Sequence, residues 1–263
     1  MSDDLDALVS AIVTSTRTVV LTGAGVSTES GIPDFRSDSG VWSRADPMEV
    51  GSIDGFRENP QRFYDFWSQF FEGLHGPDGS RPAPNKMHRL LADLERRGKL
   101  GAIITQNVDG LHQDAGSERV LEAHGNWRRT RCTRCGHQSG WREVMAETPR
   151  GNIPSCDLCG GTVRPDVVLF GELLGRAFEE ARDEVKRADL FIAMGTSLEV
   201  APVSSLPVLA KEHGARVFIV NRDPTLQDRH ADRVVRGELG AIAEELATRL
   251  AARLATGLGS VEG

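Results

Sequence analysis

Val19-Val20-Leu21-Thr22-Gly23-Ala24-Gly25-Val26-Ser27-Thr28-Glu29-Ser30-Gly31-Ile32-Pro33-Asp34-Phe35-Arg36 reads as a buried strand that ends in a glycine turn and passes into a polar loop. The apolar run fits a parallel strand covered on both faces. Gly23 and Gly25 lack the Cβ that would keep a pyrophosphate away from the backbone. The fingerprint is incomplete, because Thr28 holds the third glycine position of G-x-G-x-x-G and no clear ribose-binding acid closes a βαβ unit nearby. Taken alone, these residues would serve a tight strand-to-helix turn equally well. Such a turn has no need of the next segment, Gly31 to Arg36, which sets a proline, an acid, an aromatic ring and a guanidinium beside the candidate phosphate site.

Outward from this stretch, further apolar runs recur at Ala102-Ile103-Ile104, Val120-Leu121, Leu190 to Met194, Val217 to Val220 and Arg233-Val234-Val235. Helix-like sequence separates them, including Leu5 to Val13 before the first run and Ala177 to Ala188. A further helix is expected from Asn85 as its N-cap to Gly98 as its stop, with His88 packed rather than catalytic. This alternation predicts an α/β fold with a doubly wound, mainly parallel sheet. Polar or glycine-rich residues follow the runs: Gly23 to Gly25, Gln106-Asn107-Val108-Asp109, His124-Gly125, Gly195-Thr196-Ser197 and Asn221. Ligands in open α/β sheets bind at the carboxyl ends of the strands, so these segments are expected to share one crevice. Residues 37–85 lack strand patterning and carry the aromatic run Phe63 to Phe71, which reads as the core of a small helical insertion.

The chain has 263 residues, a formal net charge of −7 and four cysteines. The acidic balance argues against a general nucleic-acid or membrane-surface binder. With no signal-peptide pattern and no spanning apolar run, a soluble cytoplasmic protein is expected. Cys132-x-x-Cys135 and Cys156-x-x-Cys159 are two knuckles 20 residues apart, the spacing of a zinc ribbon. Four thiolates close a tetrahedral shell, which makes the expected zinc structural and leaves no cysteine as a nucleophile. Arg128, Arg129, Arg131 and Arg134 would offset the excess thiolate charge; contact with nucleic acid is their competing use. For chemistry, the preferred general base is His124, since a neutral imidazole accepts a proton near neutral pH. His112 reads as a loop-stabilising residue.

With Gly23-Ala24-Gly25-Val26-Ser27, Ser30-Gly31-Ile32-Pro33-Asp34-Phe35-Arg36-Ser37, Thr105 to His112, His124 and the cysteine module in order, the chain resembles the sirtuin family of NAD-dependent protein deacylases. Arg164 to Glu172 and Gly195 to Val200 extend the resemblance. It implies a Rossmann-like NAD-binding domain (1–36, 86–125 and 169–255) and a small domain of the helical insertion 37–85 and the zinc module 126–168, with a disordered tail 256–263. NAD contact is implied for Gly23, Ala24, Gly25, Thr28, Asp34, Phe35, Arg36, Gln106, Val108, Asp109, Gly195, Thr196, Ser197, Asn221, Glu238 and Leu239. His124 and Asn107 would be catalytic. An acetylated protein or peptide would lie as an added strand between Val168-Leu169-Phe170-Gly171-Glu172 and Gly195 to Val200. The implied reaction is attack of the acetyl-lysine oxygen on the anomeric carbon, loss of nicotinamide, and transfer of acetyl to the ribose with help from His124.

Ala123 and Gly175 depart from the family pattern, which often has leucine and proline there, without removing a reactive group. Trp67-Ser68-Gln69-Phe70 stands where desuccinylase-like members carry Tyr-x-x-Arg, so neutral acyl groups are expected. The nearest rival reading is a sirtuin-like protein mono-ADP-ribosyltransferase. A dehydrogenase and a zinc-ribbon binding module account for less of the pattern.

Overall fold

The computed structural model describes residues 2–74, 80–148 and 151–258. Its strands are β1 (Thr18–Thr22), β2 (Ala102–Thr105), β3 (Val120–Glu122), β4 (Gly125–Cys132), β5 (Gln138–Gly140), β6 (Val163–Val167), β7 (Leu190–Met194), β8 (Arg216–Val220) and β9 (Arg233–Val235). Six of them form a parallel sheet in the order β3-β2-β1-β7-β8-β9. Each side chain along a strand points to the face opposite its neighbour's. Val20, Ile103 and Ile192 therefore pack under the helices Ser2–Thr14, Lys86–Arg96 and Leu239–Leu258. Val19, Leu21, Ile104 and Phe191 pack under Arg176–Arg187 and Leu206–Glu212. Helices on both faces make the sheet doubly wound, as the run-and-gap pattern predicts. The strand order reverses between β1 and β7, which places a crevice at their carboxyl ends.

Asn85 does cap its helix, its Oδ1 accepting the N–H groups of Met87 at 3.0 Å and His88 at 3.3 Å. Gly98 beyond the helix takes a left-handed φ of 68°. Away from the crevice, Asp189 ties the first helix to the sheet, accepting the Thr16 and Arg17 N–H groups at 2.7 and 3.0 Å. The last helix continues to Leu258, so its end replaces the first part of the expected tail. The rest of that expectation, 259–263, lies outside the described residues, as do 75–79 of the insertion.

A second, antiparallel sheet, β5-β4-β6, was not legible in the sequence. Arginines fill β4, and a register shift between Asn126 and Thr130 interrupts its alternation. The short helices Pro47–Val50 and Ile53–Glu58 and the longer Pro60–Gly73 lie beside it. The two parts share one aromatic core: Phe56, Phe63, Tyr64, Trp67 and Phe70 from the helices meet Trp127, Val167 and Leu169.

At the far end of β4 the four cysteine sulfurs lie within 4.8 Å of one another, with Cys132 to Cys159 at 3.5 Å and Cys135 to Cys156 at 3.7 Å. Bonds of about 2.3 Å to a tetrahedral zinc would set the sulfurs roughly 3.8 Å apart, so the cluster fits a structural zinc. Of the four nearby arginines, Arg134 serves the cluster, its N–H facing Cys132 Sγ at 3.4 Å and its guanidinium bonding the Cys159 carbonyl at 2.7 Å. The others pair with carboxylates instead: Arg128 with Asp114, Arg129 with Glu122, Arg131 with Glu172. This corrects the expectation that all four offset thiolate charge. Stripping the metal with a chelator is expected to speed amide exchange in β4 and β6 while β1 keeps its protection. Unchanged exchange in β4 and β6, read by mass spectrometry, would show that the metal does not hold this sheet.

Candidate active site

The crevice at the switch point opens into a cavity of about 510 Å³. Its segments sit at strand ends in spatial order: His124 after β3, Gln106 and Asn107 after β2, Gly23 to Gly25 after β1, Gly195 to Ser197 after β7, Asn221 after β8. From β3 to β8 are four strand spacings of about 4.8 Å, roughly 19 Å, which suits an elongated ligand. Glu238 and Leu239, beyond β9, line it as well.

The glycines have a further reason beside the one the sequence suggests. A Cβ on Gly23 would lie 2.6 Å from Thr196 Cβ, and one on Gly25 would lie 2.9 Å from the Gly195 carbonyl oxygen. The residues are small so that the β1 and β7 loops can touch. Their N–H groups are used there too, Gly23 bonding the Met194 carbonyl at 3.1 Å and Gly25 the Gly195 carbonyl at 2.9 Å. The walls offer a dinucleotide hydroxyls from Thr28 and Ser197 and the half-buried backbone of Ala24, Gly25 and Ser197. Their form and the cavity's length fit NAD.

His124 donates through Nδ1 to the Gln106 carbonyl at 3.1 Å, which leaves Nε2 as the basic nitrogen. Burial lowers its pKa, outweighing the Gln106 bond that raises it, so the ring is neutral and ready to accept a proton. Asn107 is buried; its Nδ2 donates to the Gly23 carbonyl at 3.0 Å and to Ser27 Oγ at 3.1 Å, leaving Oδ1 for a ligand. Gln106 Nε2 reaches Thr196 Oγ1 at 2.8 Å across the sheet.

Asp109 does not line the cavity with these residues. Its carboxylate accepts the Ser27 hydroxyl at 2.8 Å and the Leu111 N–H at 2.8 Å, so it orients Ser27 from outside. Burial raises its pKa against those two bonds and Arg128. Asp34, Phe35, Arg36, Val108, Val168, Leu169, Phe170, Gly171 and Glu172 all border the cavity. Arg36 is paired across it with Glu199 at 2.9 Å. Glu172 is a strut, accepting the Leu169 N–H at 3.0 Å and binding Arg164 at 2.5 Å and Arg131 at 3.2 Å.

Sequence reasoning missed Ser27 as a link between Asp109 and Asn107, although a hydroxyl inside the glycine turn was the signal. It also missed Trp42 and Trp127 as wall residues. With Phe35, Trp67 and Phe170 they make one end of the cavity aromatic. Leu198, just beyond the cavity-lining Ser197, is a buried non-glycine residue held at a φ of +55°. Such backbone strain persists where surrounding structure fixes it.

The Sir2 family model matches residues 23–202. An NAD-dependent protein deacylase of Aeropyrum pernix is 47% identical over 229 residues, 87% of this chain and 90% of that protein. NAD-dependent protein deacetylase 1 of Geobacillus kaustophilus is 44% identical over 243 residues, 91% of this chain and 96% of that one. A solved Sir2 variant with a deacetylated p53 peptide and 3'-O-acetyl ADP ribose superposes with a TM-score of 0.86 at 36% identity, covering 93% of this chain and 97% of its own. This chain belongs to the Sir2 family, the sirtuins that its motifs resemble.

Proposed function

We infer that the protein is an NAD-dependent protein-lysine deacetylase that yields free lysine, nicotinamide and O-acetyl-ADP-ribose. The observation that carries this reading is the junction, in one cavity of a Sir2 chain, of a neutral histidine, an amide pair, two glycine turns and an aromatic wall. NAD when bound supplies an electrophilic anomeric carbon, a nicotinamide leaving group and a ribose hydroxyl to receive the acetyl group. Ala24, Gly25, Thr196 and Ser197 are read as phosphate contacts, and Asn221, Glu238 and Leu239 as adenosine contacts. Gln106, Asn107 and Arg36 are read as partners of the nicotinamide half, oriented by Ser27 and Asp109. Phe35 and the tryptophans exclude water, which would otherwise compete for that carbon. His124 Nε2 takes the proton of the attacking ribose hydroxyl.

The substrate peptide is read as a strand laid along Val168 to Glu172. Phe170 spends its N–H on the Gly51 carbonyl and its carbonyl on Ile53 N–H, both at 2.9 Å. The neighbouring Gly171, in a turn at a left-handed φ of 88°, borders the cavity beside it. Recognition through backbone supports a broad range of protein substrates.

Incubating an acetyl-lysine peptide with the protein and NAD is expected to give loss of acetyl and O-acetyl-ADP-ribose by mass spectrometry. His124→Ala should slow this by about 100-fold or more, the usual contribution of a general base. ADP-ribose attached to a protein acceptor, with the acetyl group left intact, would instead identify a mono-ADP-ribosyltransferase. Because burial lowers the His124 pKa, kcat/KM should fall with acidification only below the ordinary histidine value of 6.5. A loss of activity that begins well above that value would assign the base elsewhere.

The aromatic end also bears on the acyl group. Trp67 lines the cavity with its indole N–H committed to the Val50 carbonyl at 2.7 Å, and Phe70 packs in the core behind it. An acidic acyl chain meets no guanidinium from these two positions. Missing charge-assisted bonds should make a succinyl-lysine peptide turn over at least about 10-fold more slowly than the acetyl one. Equal rates for the two peptides would contradict this.

A further inference from the structure

Outside the cavity two histidines are buried ring to ring, His88 and His112, with centroids 4.8 Å apart and planes tilted by 59°. His112 Nε2 lies 2.9 Å from Thr22 Oγ1. Thr22 donates its hydroxyl to Thr105 Oγ1 at 2.9 Å, and the same Thr105 oxygen accepts the Asn107 N–H at 3.1 Å. A threonine hydroxyl has one proton to give. With Thr22's given to Thr105, the contact with His112 is an Nε2–H donating to Thr22. The relay ends on the residue whose amide holds the Gly23 carbonyl and Ser27.

The second ring leads to the same place. His88 Nδ1 sits 2.9 Å from Asn85 Oδ1, and Asn85 Nδ2 donates to the Val26 carbonyl at 2.7 Å and to Ser30 Oγ at 3.1 Å. Both acceptors lie in the segment that follows the glycine turn.

We propose that His112, acting through Thr22 and Thr105, is a positioning residue that fixes Asn107 against the glycine turn, with His88 and Asn85 holding the far side of that turn. Thr22 and Thr105 are register partners on adjacent parallel strands, and both are buried. Valine would fill either place without burying a hydroxyl, so packing gives no reason for the pair. Each histidine also keeps one buried nitrogen without a partner, Nε2 of His88 and Nδ1 of His112. Burying such a nitrogen is unfavourable, and an apolar ring would avoid it. The bond made by each ring's other nitrogen is what the imidazole contributes. Burial holds His88 down to about 4 and His112 to about 3, so both stay neutral at working pH and the relay keeps one protonation pattern.

The test compares Thr22→Val, which keeps the shape and removes the hydroxyl, with Thr22→Ser, which keeps the hydroxyl. Thr22→Val is expected to lower the deacetylation kcat by about 10-fold or more while KM for NAD changes by less than about threefold, the signature of a misplaced group rather than of lost binding. Thr22→Ser should stay within about twofold of the parent. In the ligand-free protein, nitrogen-15 NMR of the His112 ring should show the Nε2–H tautomer. Equal kcat for the Val and Ser variants overturns the proposal, and so does an Nδ1–H tautomer. If Thr22→Val does not fold, Thr105→Val set against Thr105→Ser makes the same comparison. The proposal rests on reading Asn107 as catalytic in a deacetylase. A parent protein that removes no acetyl group with NAD would sink that reading, whereas an active parent with an indifferent Thr22→Val sinks this inference alone.

Discussion

The contact between two backbone turns, Gly23 to Gly25 after β1 and Gly195-Thr196 after β7, is the constraint on which the rest of the site depends. These strands are neighbours in the sheet although far apart in sequence, because the winding reverses between them. Their loops would normally splay apart and leave an open cleft. Here the absence of side chains at Gly23 and Gly25 lets the loops hydrogen-bond directly, and Gly195 with its φ of 58° completes the fit. A Cβ on Gly195 would strike Val26 N and Leu239 Cδ1, so the same contact also sets where the last helix begins. The floor of the cavity is therefore made of backbone, held rigid before any ligand arrives.

The metal acts on the wall above this floor, and from a distance. β4 has His124 immediately before it and Cys132, the first zinc ligand, at its end. A strand of that length spans about 23 Å, too far for the ion to touch the chemistry. What it stabilises is the sheet that carries Trp127 and Val167 to the cavity wall and that holds Val168 through the His124 carbonyl at 2.9 Å. The helical insertion depends on the same sheet, since Phe63 stacks on Trp127 with centroids 6.2 Å apart. Two segments distant in sequence thus share one aromatic core, and neither would bury its rings alone.

The parallel sheet was legible because each of its strands is an apolar run followed by a polar or glycine-rich turn, and burial on both faces enforces that pattern. The four cysteines were legible because ligand spacing constrains sequence directly. The antiparallel sheet was not: β4 is exposed along much of one side, and Arg128, Arg129 and Arg131 there answer to local carboxylates rather than to a period of two. Within the site, residues at strand ends could be placed by topology alone. Asp109 could not, since its neighbourhood in sequence says nothing of whether the carboxylate turns towards the cavity or towards Ser27. The glycines border the cavity as expected, and the structure adds a second demand on them, the close approach of another loop, which sequence cannot distinguish from that of a ligand.

The electrostatics of the cavity favour order of events over brute charge. His124 is held neutral by burial and tautomerically fixed by a carbonyl, so in the inferred reaction it would be a base from the outset, with no proton to offer from Nε2 while nicotinamide departs. A positive imidazolium at that place would oppose the positive charge that grows on the sugar as its bond to nicotinamide breaks. Arg36, the cation of the loop that follows the glycine turn, is paired with Glu199. The inferred reacting end is thus lined by amides, aromatic faces and one uncharged imidazole, and in the inferred reaction positive charge would appear on His124 only when the ribose hydroxyl gives up its proton. Burial, which in most proteins serves stability, would in the inferred reaction also set the sequence of proton movements.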